Sequence, residues 1–178
     1  MTARLRSLDA RPGPAFRVLI VDDNPSVHAD FTRIFEPEVD ASAAALDELE
    51  EGLFGGSDRS APPGDAFALW HASQCDEGIE LTRKAIERNM PFDVAFVDMK
   101  MPPGPNGVET TRRLWGIDPV LQVVLCTAYR DFRWAEVMQF LGSTANLHLL
   151  RKPFSPTQAR HIAGVLAAKA ARLRRIAA

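Results

Sequence analysis

Three carboxylates, a hydroxyl and an ammonium share one kind of position in this chain: each closes a short apolar run. Asp22-Asp23 follows Val18-Leu19-Ile20-Val21, Asp98 follows Phe92 to Val97, Thr127 follows Leu121 to Cys126, and Lys152 follows the leucine-rich stretch from Leu147. If those runs are neighbouring parallel strands, the five groups gather at one edge of a sheet. Three carboxylates in one crevice repel one another. A hard divalent cation relieves that repulsion, and magnesium, which keeps several waters, needs only two carboxylates and a carbonyl from the protein. A carboxylate in such a site can attack a phosphoryl group in line and form an acyl phosphate, while the metal neutralises the phosphoryl oxygens. On this reading Asp98 is the nucleophile, the Thr127 hydroxyl donates to a phosphoryl oxygen, and Lys152 brings a compact positive charge. A cis bond before Pro153 would aim that lysine. Each residue taken singly has an ordinary explanation: a turn, a strand threonine, a solvated lysine. Their joint placement carries the reading.

The elements that must position these groups follow from the pattern. Phe16 to Val21 is too short for a helix and bears β-branched residues, so it reads as a buried strand. Asn24-Pro25 is an N-cap followed by proline at the first helical position. Val27, Phe31, Ile34 and Phe35 then share a helical face, and Glu36-Pro37 ends it. Strands are expected at 66–72, 92–97, 121–126 and from Leu147 to Leu150. Helices are expected at 76–89, around Val108 to Trp115, from Trp134 to Leu141, and over 155–176 as one long C-terminal element. Five strands alternating with five helices predict an α/β fold with a parallel sheet covered on both faces. Right-handed crossovers restrict it to a doubly wound five-stranded sheet. Its common order is 2-1-3-4-5, with the ligand site at the carboxyl ends of the strands. In that order Asp98 faces Asp22 and Asp23.

Residues 1–15, with Arg4, Arg6, Arg11, Pro12 and Pro14, read as a flexible N-terminal arm, and 16–178 as one domain. Residues 38–65 read as an insertion between the first helix and the second strand. Within it Leu46, Leu49 and Leu53 are spaced for a short amphipathic helix among Asp47, Glu48, Glu50 and Glu51, stopped by Gly55-Gly56 and followed by a polar linker. A chain of 178 residues can bury a sizeable core without staples. Its net charge of -2 argues against a nucleic-acid surface. No apolar run approaches the ~18 residues of a membrane span, and no signal peptide is evident. Cys75 and Cys126 form no disulfide framework, which fits a reducing compartment. A cytoplasmic protein is expected.

The four motifs together resemble the receiver domain of two-component response regulators. Asp22-Asp23 matches the acidic pair of that family, and Asp98 with Met101-Pro102 and Gly107 its phosphoacceptor segment. Thr127-Ala128 matches the switch hydroxyl and its small neighbour, and Lys152-Pro153-Phe154 the lysine motif. The resemblance implies the flavodoxin-like receiver fold and phosphotransfer to Asp98 from a sensor histidine kinase or phosphotransfer protein. It implies Mg2+ held by Asp23, Asp98 and the backbone carbonyl of Lys100, with Asp22 assisting through water. It implies no enzyme activity beyond self-phosphotransfer and autodephosphorylation. Output would pass through a partner protein, a C-terminal output domain absent from this chain, or a homodimer. The expected output face is the fourth helix, fifth strand and fifth helix, including Arg133, Trp134 and Gln139.

The chain also departs from that family. Leu149 stands three residues before Lys152, where receivers commonly place tyrosine or phenylalanine. Lys100 and Tyr129 are expected to border the mouth of the site and shield an acyl phosphate from water. The loop Met101 to Gly107 holds three prolines. The last helix carries Arg160, Lys169, Arg172, Arg174 and Arg175, read as a solvated basic face or a signalling helix. Three other functions fit less well. A phosphorylation-independent scaffold leaves the intact acidic and lysine motifs unexplained. A phosphohydrolase resembling the haloacid dehalogenase family needs a second acid where Lys100 stands. A flavin site needs backbone donors and hydroxyls after the first strand, where Asp22-Asp23 repels phosphate.

Overall fold

A computed structural model describes residues 16–36, 67–128, 134–141 and 145–177, the side chains of 134–136 and 138 excepted. The N-terminal arm, the insertion at 38–65, Tyr129 and Arg133 lie outside the described residues. The elements in chain order are β1 (Phe16–Val21), α1 (Pro25–Phe35), β2 (Phe67–Ala72), α2 (Cys75–Glu87) and β3 (Val94–Asp98). They continue with α3 (Gly107–Trp115), β4 (Gln122–Ala128), α4 (Trp134–Leu141), β5 (Leu147–Lys152) and α5 (Pro156–Ala177). All strand pairs are parallel and the sheet order is β2-β1-β3-β4-β5. This is the doubly wound sheet expected from the sequence.

The inner strands read as unbroken apolar runs because both faces of the sheet are covered. Successive side chains point to opposite faces. Leu19, Val21, Ala95, Val97, Val123 and Leu125 pack on one side with Ile79 of α2 and Leu114 of α3. Val18, Ile20, Val94, Phe96, Val124 and Cys126 pack on the other with Phe31 and Phe35 of α1. On that side α5 presents Ala159, Ala163 and Ala167, all fully buried. Small residues there let the helix lie close to the sheet. Each fully buried large side chain contributes roughly 1.5–3 kcal/mol. Among the described residues no helix is long and apolar enough to cross a membrane.

The basic residues of α5 do not form a uniformly solvated face. Arg160 donates to the Ile34 and Glu36 carbonyls at 2.7 and 2.8 Å, tying α5 to the end of α1. Lys169 donates to the Ala145 carbonyl at 2.6 Å. Arg174 reaches the amino-terminal edge of the sheet and donates to both Asp118 oxygens and to the Phe92 carbonyl. Arg172 and Arg175 are exposed.

Arg174 faces two buried acids. Asp118 is buried against it, and Asp93 accepts the Arg17 backbone N–H. Burial pushes the Asp93 carboxyl above its ordinary range, while that hydrogen bond and Arg174 pull the other way. A carboxyl raised in the folded state costs stability as pH climbs past the ordinary carboxylate range, and costs none below it. Arg174→Met is therefore expected to lose about 2–3 kcal/mol near neutral pH, because Asp118 stays buried without its cation. The loss should be smaller at about pH 4, where Asp93, its carboxyl raised by burial, no longer adds a second buried charge beside the vacated position. Chemical denaturation at the two pH values checks this. An equal loss at both would show that Arg174 acts by packing alone.

Candidate functional site

The parallel register sets the site. Val21 of β1 pairs with Val97 of β3, so Asp22 and Asp98 leave adjacent strands at the same level. Asp98 in turn stands beside Cys126 of β4, and Ala128 beside Lys152 of β5. The lysine side chain crosses that distance and closes the site. Its Nζ donates to Asp98 Oδ1 at 2.6 Å and to Asp22 Oδ2 at 3.0 Å. The second oxygen of each carboxylate is held locally. Asp22 Oδ1 accepts the Asn24 N–H at 2.9 Å, and Asp98 Oδ2 accepts the Lys100 N–H at 2.8 Å. These are Asx-type turns, in which an aspartate binds the backbone two residues on. The bond between Lys152 and Pro153 is cis, as is that between Pro102 and Pro103.

The Asp22 side chain is nearly enclosed, with 5% of its surface in solvent, whereas the Asp98 side chain keeps 14%. The more accessible of the two is thus the residue expected to react. Burial works against the Lys152 ammonium. The hydrogen bonds and charges of Asp98 and Asp22 outweigh it, and the lysine is held above its ordinary value. Its raised pKa means that the ion pairs contribute fully below the ordinary lysine range and are lost only as pH rises beyond it. Cys126, the strand neighbour of Asp98, is completely buried, and burial pushes its thiol up to about 12. It remains a protonated core residue and brings no thiolate to the site.

Asp22, Asp98 and Lys152 are brought together; the other expected residues stand differently. Asp23 is exposed, beside but not in this network. Thr127 is buried on β4, and its hydroxyl donates to the Ala128 carbonyl at 3.1 Å rather than toward Asp98. The Lys100 side chain is exposed. Leu149 is 38% exposed on the edge strand β5. His148 projects toward the α5 face, where burial first and the charge of Lys169 second lower its pKa.

Among the described residues no group of three or more His, Cys, Asp and Glu is arranged to hold a metal ion. The donors at this edge are carboxylate and carbonyl oxygens, the hard set magnesium prefers over softer ions. Here the Lys152 ammonium supplies the positive charge on which the Asp22 and Asp98 carboxylates converge. The donor chemistry fits magnesium.

Three supporting residues carry no motif. His28 on α1 donates from Nε2 to the Asp22 carbonyl at 2.7 Å, since a carbonyl can only accept. Its Nδ1 lies 2.9 Å from Nδ1 of His71 on β2. In the neutral ring that atom accepts, so His71 donates. The pair pins the turn that carries Asp22 and Asp23. A histidine one turn into a helix is the only sequence signal for it. Gln74 packs on the loop after β3: its amide lies 3.5 Å from the Pro102 carbonyl, and its oxygen occupies the space a Cβ on Gly104 would need.

No family model and no curated protein matches this chain. Solved structures do. A response regulator receiver protein from Sinorhizobium medicae WSM419 is 18% identical at a TM-score of 0.58, covering 88% of this chain and 97% of that one. A CheY-like response regulator receiver domain protein from Methanospirillum hungatei JF-1 is 20% identical at a TM-score of 0.57, covering 87% and 96%. NtrX from Brucella abortus, solved in complex with ATP, is 16% identical at a TM-score of 0.60, covering 92% of this chain but 29% of its own length. At such identities the likeness is one of fold: the chain has the receiver fold.

Proposed function

We propose that this chain is a phosphoacceptor module. Asp98 takes a phosphoryl group from the phosphohistidine of a sensor kinase or phosphotransfer protein. A carboxylate oxygen of Asp98 forms the new bond to phosphorus, the P–N bond breaks, and its electron pair returns to the donor imidazole. The observation that carries this reading is the convergence of Asp98 and Asp22 on Lys152 at the carboxyl edge of the sheet. In this reading Asp23, Asp98 and the Lys100 carbonyl hold Mg2+, with Asp22 assisting through water. The ion supplies neutralising charge for the phosphoryl oxygens. Lys152 is already charged and aimed at Asp98, so it can follow the incoming phosphoryl group while Asp22 keeps it placed. Thr127 would rotate its hydroxyl from the Ala128 carbonyl toward that group. Phosphorylation would then shift a two-state equilibrium of the surface beyond β4 and β5. Chemistry of this kind is self-modification and autodephosphorylation, not turnover of a separate substrate.

Output would reach a partner protein, a second copy, or a domain outside this chain. The NtrX chain, matched over 29% of its length, is a precedent for a longer protein that contains this fold. A cytoplasmic setting suits the two buried free thiols, Cys75 and Cys126.

The test is incubation with Mg2+ and acetyl phosphate, followed by intact mass and peptide mapping. One added phosphoryl group on Asp98 is expected, with uptake reduced on the order of tenfold or more when the metal is chelated. No uptake, or a group mapped to another residue, would overturn the reading. Uptake unchanged by chelation would remove the metal from it.

A further inference from the structure

Two imidazoles meet where α1 crosses β2. His28 sits one turn into α1, and His71 lies near the end of β2, in register with Ile20. Their Nδ1 atoms are 2.9 Å apart. The ring centroids are 5.0 Å apart and the planes cross at 78°, so most of that separation is the gap between the two nitrogens. His28 Nε2 donates to the Asp22 carbonyl at 2.7 Å. That bond fixes the tautomer: the His28 proton is on Nε2, and its Nδ1 carries a lone pair. The Nδ1 of His71 shares its proton with that lone pair.

Imidazole nitrogen is a borderline donor that suits Cu2+, Ni2+ and Zn2+, whereas Mg2+ prefers oxygen. Metal-bound histidines almost always donate the other ring N–H to a carbonyl or carboxylate, which orients the ring and makes the bound nitrogen more basic. His28 already has this arrangement. Spacing selects among the ions. Two nitrogens about 2.0–2.1 Å from one ion lie about 2.9 Å apart when they subtend roughly 90°, and about 3.3 Å apart at the tetrahedral angle. The observed 2.9 Å is the separation of a tetragonal site, the geometry of Cu2+ and Ni2+ rather than Zn2+. The ion takes the place of the shared proton. The His71 ring turns about its Cβ–Cγ bond until both lone pairs meet on one point, and its proton passes through solvent from Nδ1 to Nε2. His71 is exposed on an edge strand, within reach of an ion in solution.

We propose that His28 and His71 form a chelating site for a divalent transition-metal ion of tetragonal preference, with water in its remaining positions. Cu2+ binds before Ni2+, in the usual order for a nitrogen site. The donors differ in kind from the carboxylates of Asp22, Asp23 and Asp98, so the two sites do not compete for the same ion. They are joined mechanically. An ion that locks the His28 ring also locks the Asp22 carbonyl, and with it the turn that hands Asp22 to Lys152. The inference does not rest on phosphotransfer, and its test needs no phosphodonor.

The test is titration of the full-length chain with Cu2+ in excess Mg2+, read by calorimetry and by electron paramagnetic resonance. One Cu2+ per chain is expected, with hyperfine splitting from two imidazole nitrogens. His71→Ala should weaken binding at least ~10-fold, since a chelate that loses one arm loses its gain in effective concentration. The splitting should then fall to one nitrogen. His71 is exposed, so this variant should keep its fold, and a melting temperature without metal checks it. His161→Ala, which removes an exposed histidine on α5, should change neither readout. No binding to the wild-type chain, a wild-type spectrum with fewer than two nitrogens, or unchanged affinity in a folded His71→Ala would overturn the proposal. Loss of binding in His161→Ala would overturn it in favour of a site on α5. Should His71→Ala fail to fold, the wild-type spectrum and His161→Ala decide together.

Discussion

Asp98→Asn is expected to take up no phosphoryl group under conditions that label the wild-type chain fully, a loss of at least ~100-fold by intact mass. The amide oxygen is a far weaker nucleophile than a carboxylate, and neither neighbouring acid can replace it. Asp22 is 3% exposed. Both its oxygens are engaged, one by the Asn24 N–H and one by Lys152. Asp23 is exposed and outside the reach of the lysine network as it stands. The fold should barely notice the change. Asparagine has one acceptor oxygen for the two donors that Asp98 now serves, the Lys100 N–H and the Lys152 ammonium. One hydrogen bond is lost, worth ~1 kcal/mol, while the repulsion between Asp98 and Asp22 disappears. A melting temperature within a few degrees of wild type is expected, given roughly 2–4 °C per kcal/mol for a domain of this size. Labelling of the variant at the wild-type level would place the nucleophile elsewhere. Loss of labelling together with gross unfolding would make the variant uninformative about chemistry; Asp98→Glu, which keeps the charge on a longer arm, then decides. It should fold and label at least ~10-fold more slowly, because reach and line of attack change with the extra methylene.

How much of this site can be read in the amino-acid order depends on the physics that sets each part. β1, β3 and β4 are legible because burial on both faces demands unbroken apolar runs, and the residues after them stand out by contrast. The order of strands is legible because handedness leaves few arrangements. The division of labour inside the pair Asp22-Asp23 is not. Two adjacent acids look equivalent in sequence, yet only the first turns inward to Lys152. The hydroxyl of Thr127 is another case: its direction is a rotamer choice between the Ala128 carbonyl and the site, and no spacing encodes it. The links made by Arg160 and Arg174 join positions 126 and 56 residues apart, to Ile34 and Asp118. Long side chains can read as solvated in any local window and still anchor a helix end. His28 and His71 illustrate the same limit, since their pairing exists only once α1 lies across β2.

Gly107→Ala is expected to destabilise the chain by about 2–3 kcal/mol. Melting should fall by roughly 5–10 °C, and Asp98 should become a poorer phosphoacceptor. Helix propensity alone predicts the opposite sign, because alanine is favoured over glycine in a helix by ~0.5–1 kcal/mol. The collision decides. Gly107 opens α3, its N–H donating to the Met99 carbonyl at 3.1 Å, so the helix starts directly on the loop that carries the acceptor. A Cβ there would strike the carbonyl oxygen of Asp98 and stand 3.0 Å from Met99 Cα and 3.0 Å from Leu125 Cδ2. The leucine methyl can move, but the two backbone atoms belong to the end of β3. They are fixed by pairing with β4 and by the bond from the Met99 N–H to the Cys126 carbonyl. Either α3 tips outward or the Asp98 carbonyl shifts, and both disturb the Lys100 N–H that holds the acceptor carboxylate. Gly164→Ala is the matched control, since its Cβ meets nothing within 4 Å. It should stabilise by the propensity term alone. Opposite signs for the two substitutions would locate the cost at the contact between α3 and Asp98. A shared gain in stability would show that the start of α3 yields freely, and that Gly107 does not hold the acceptor loop in place.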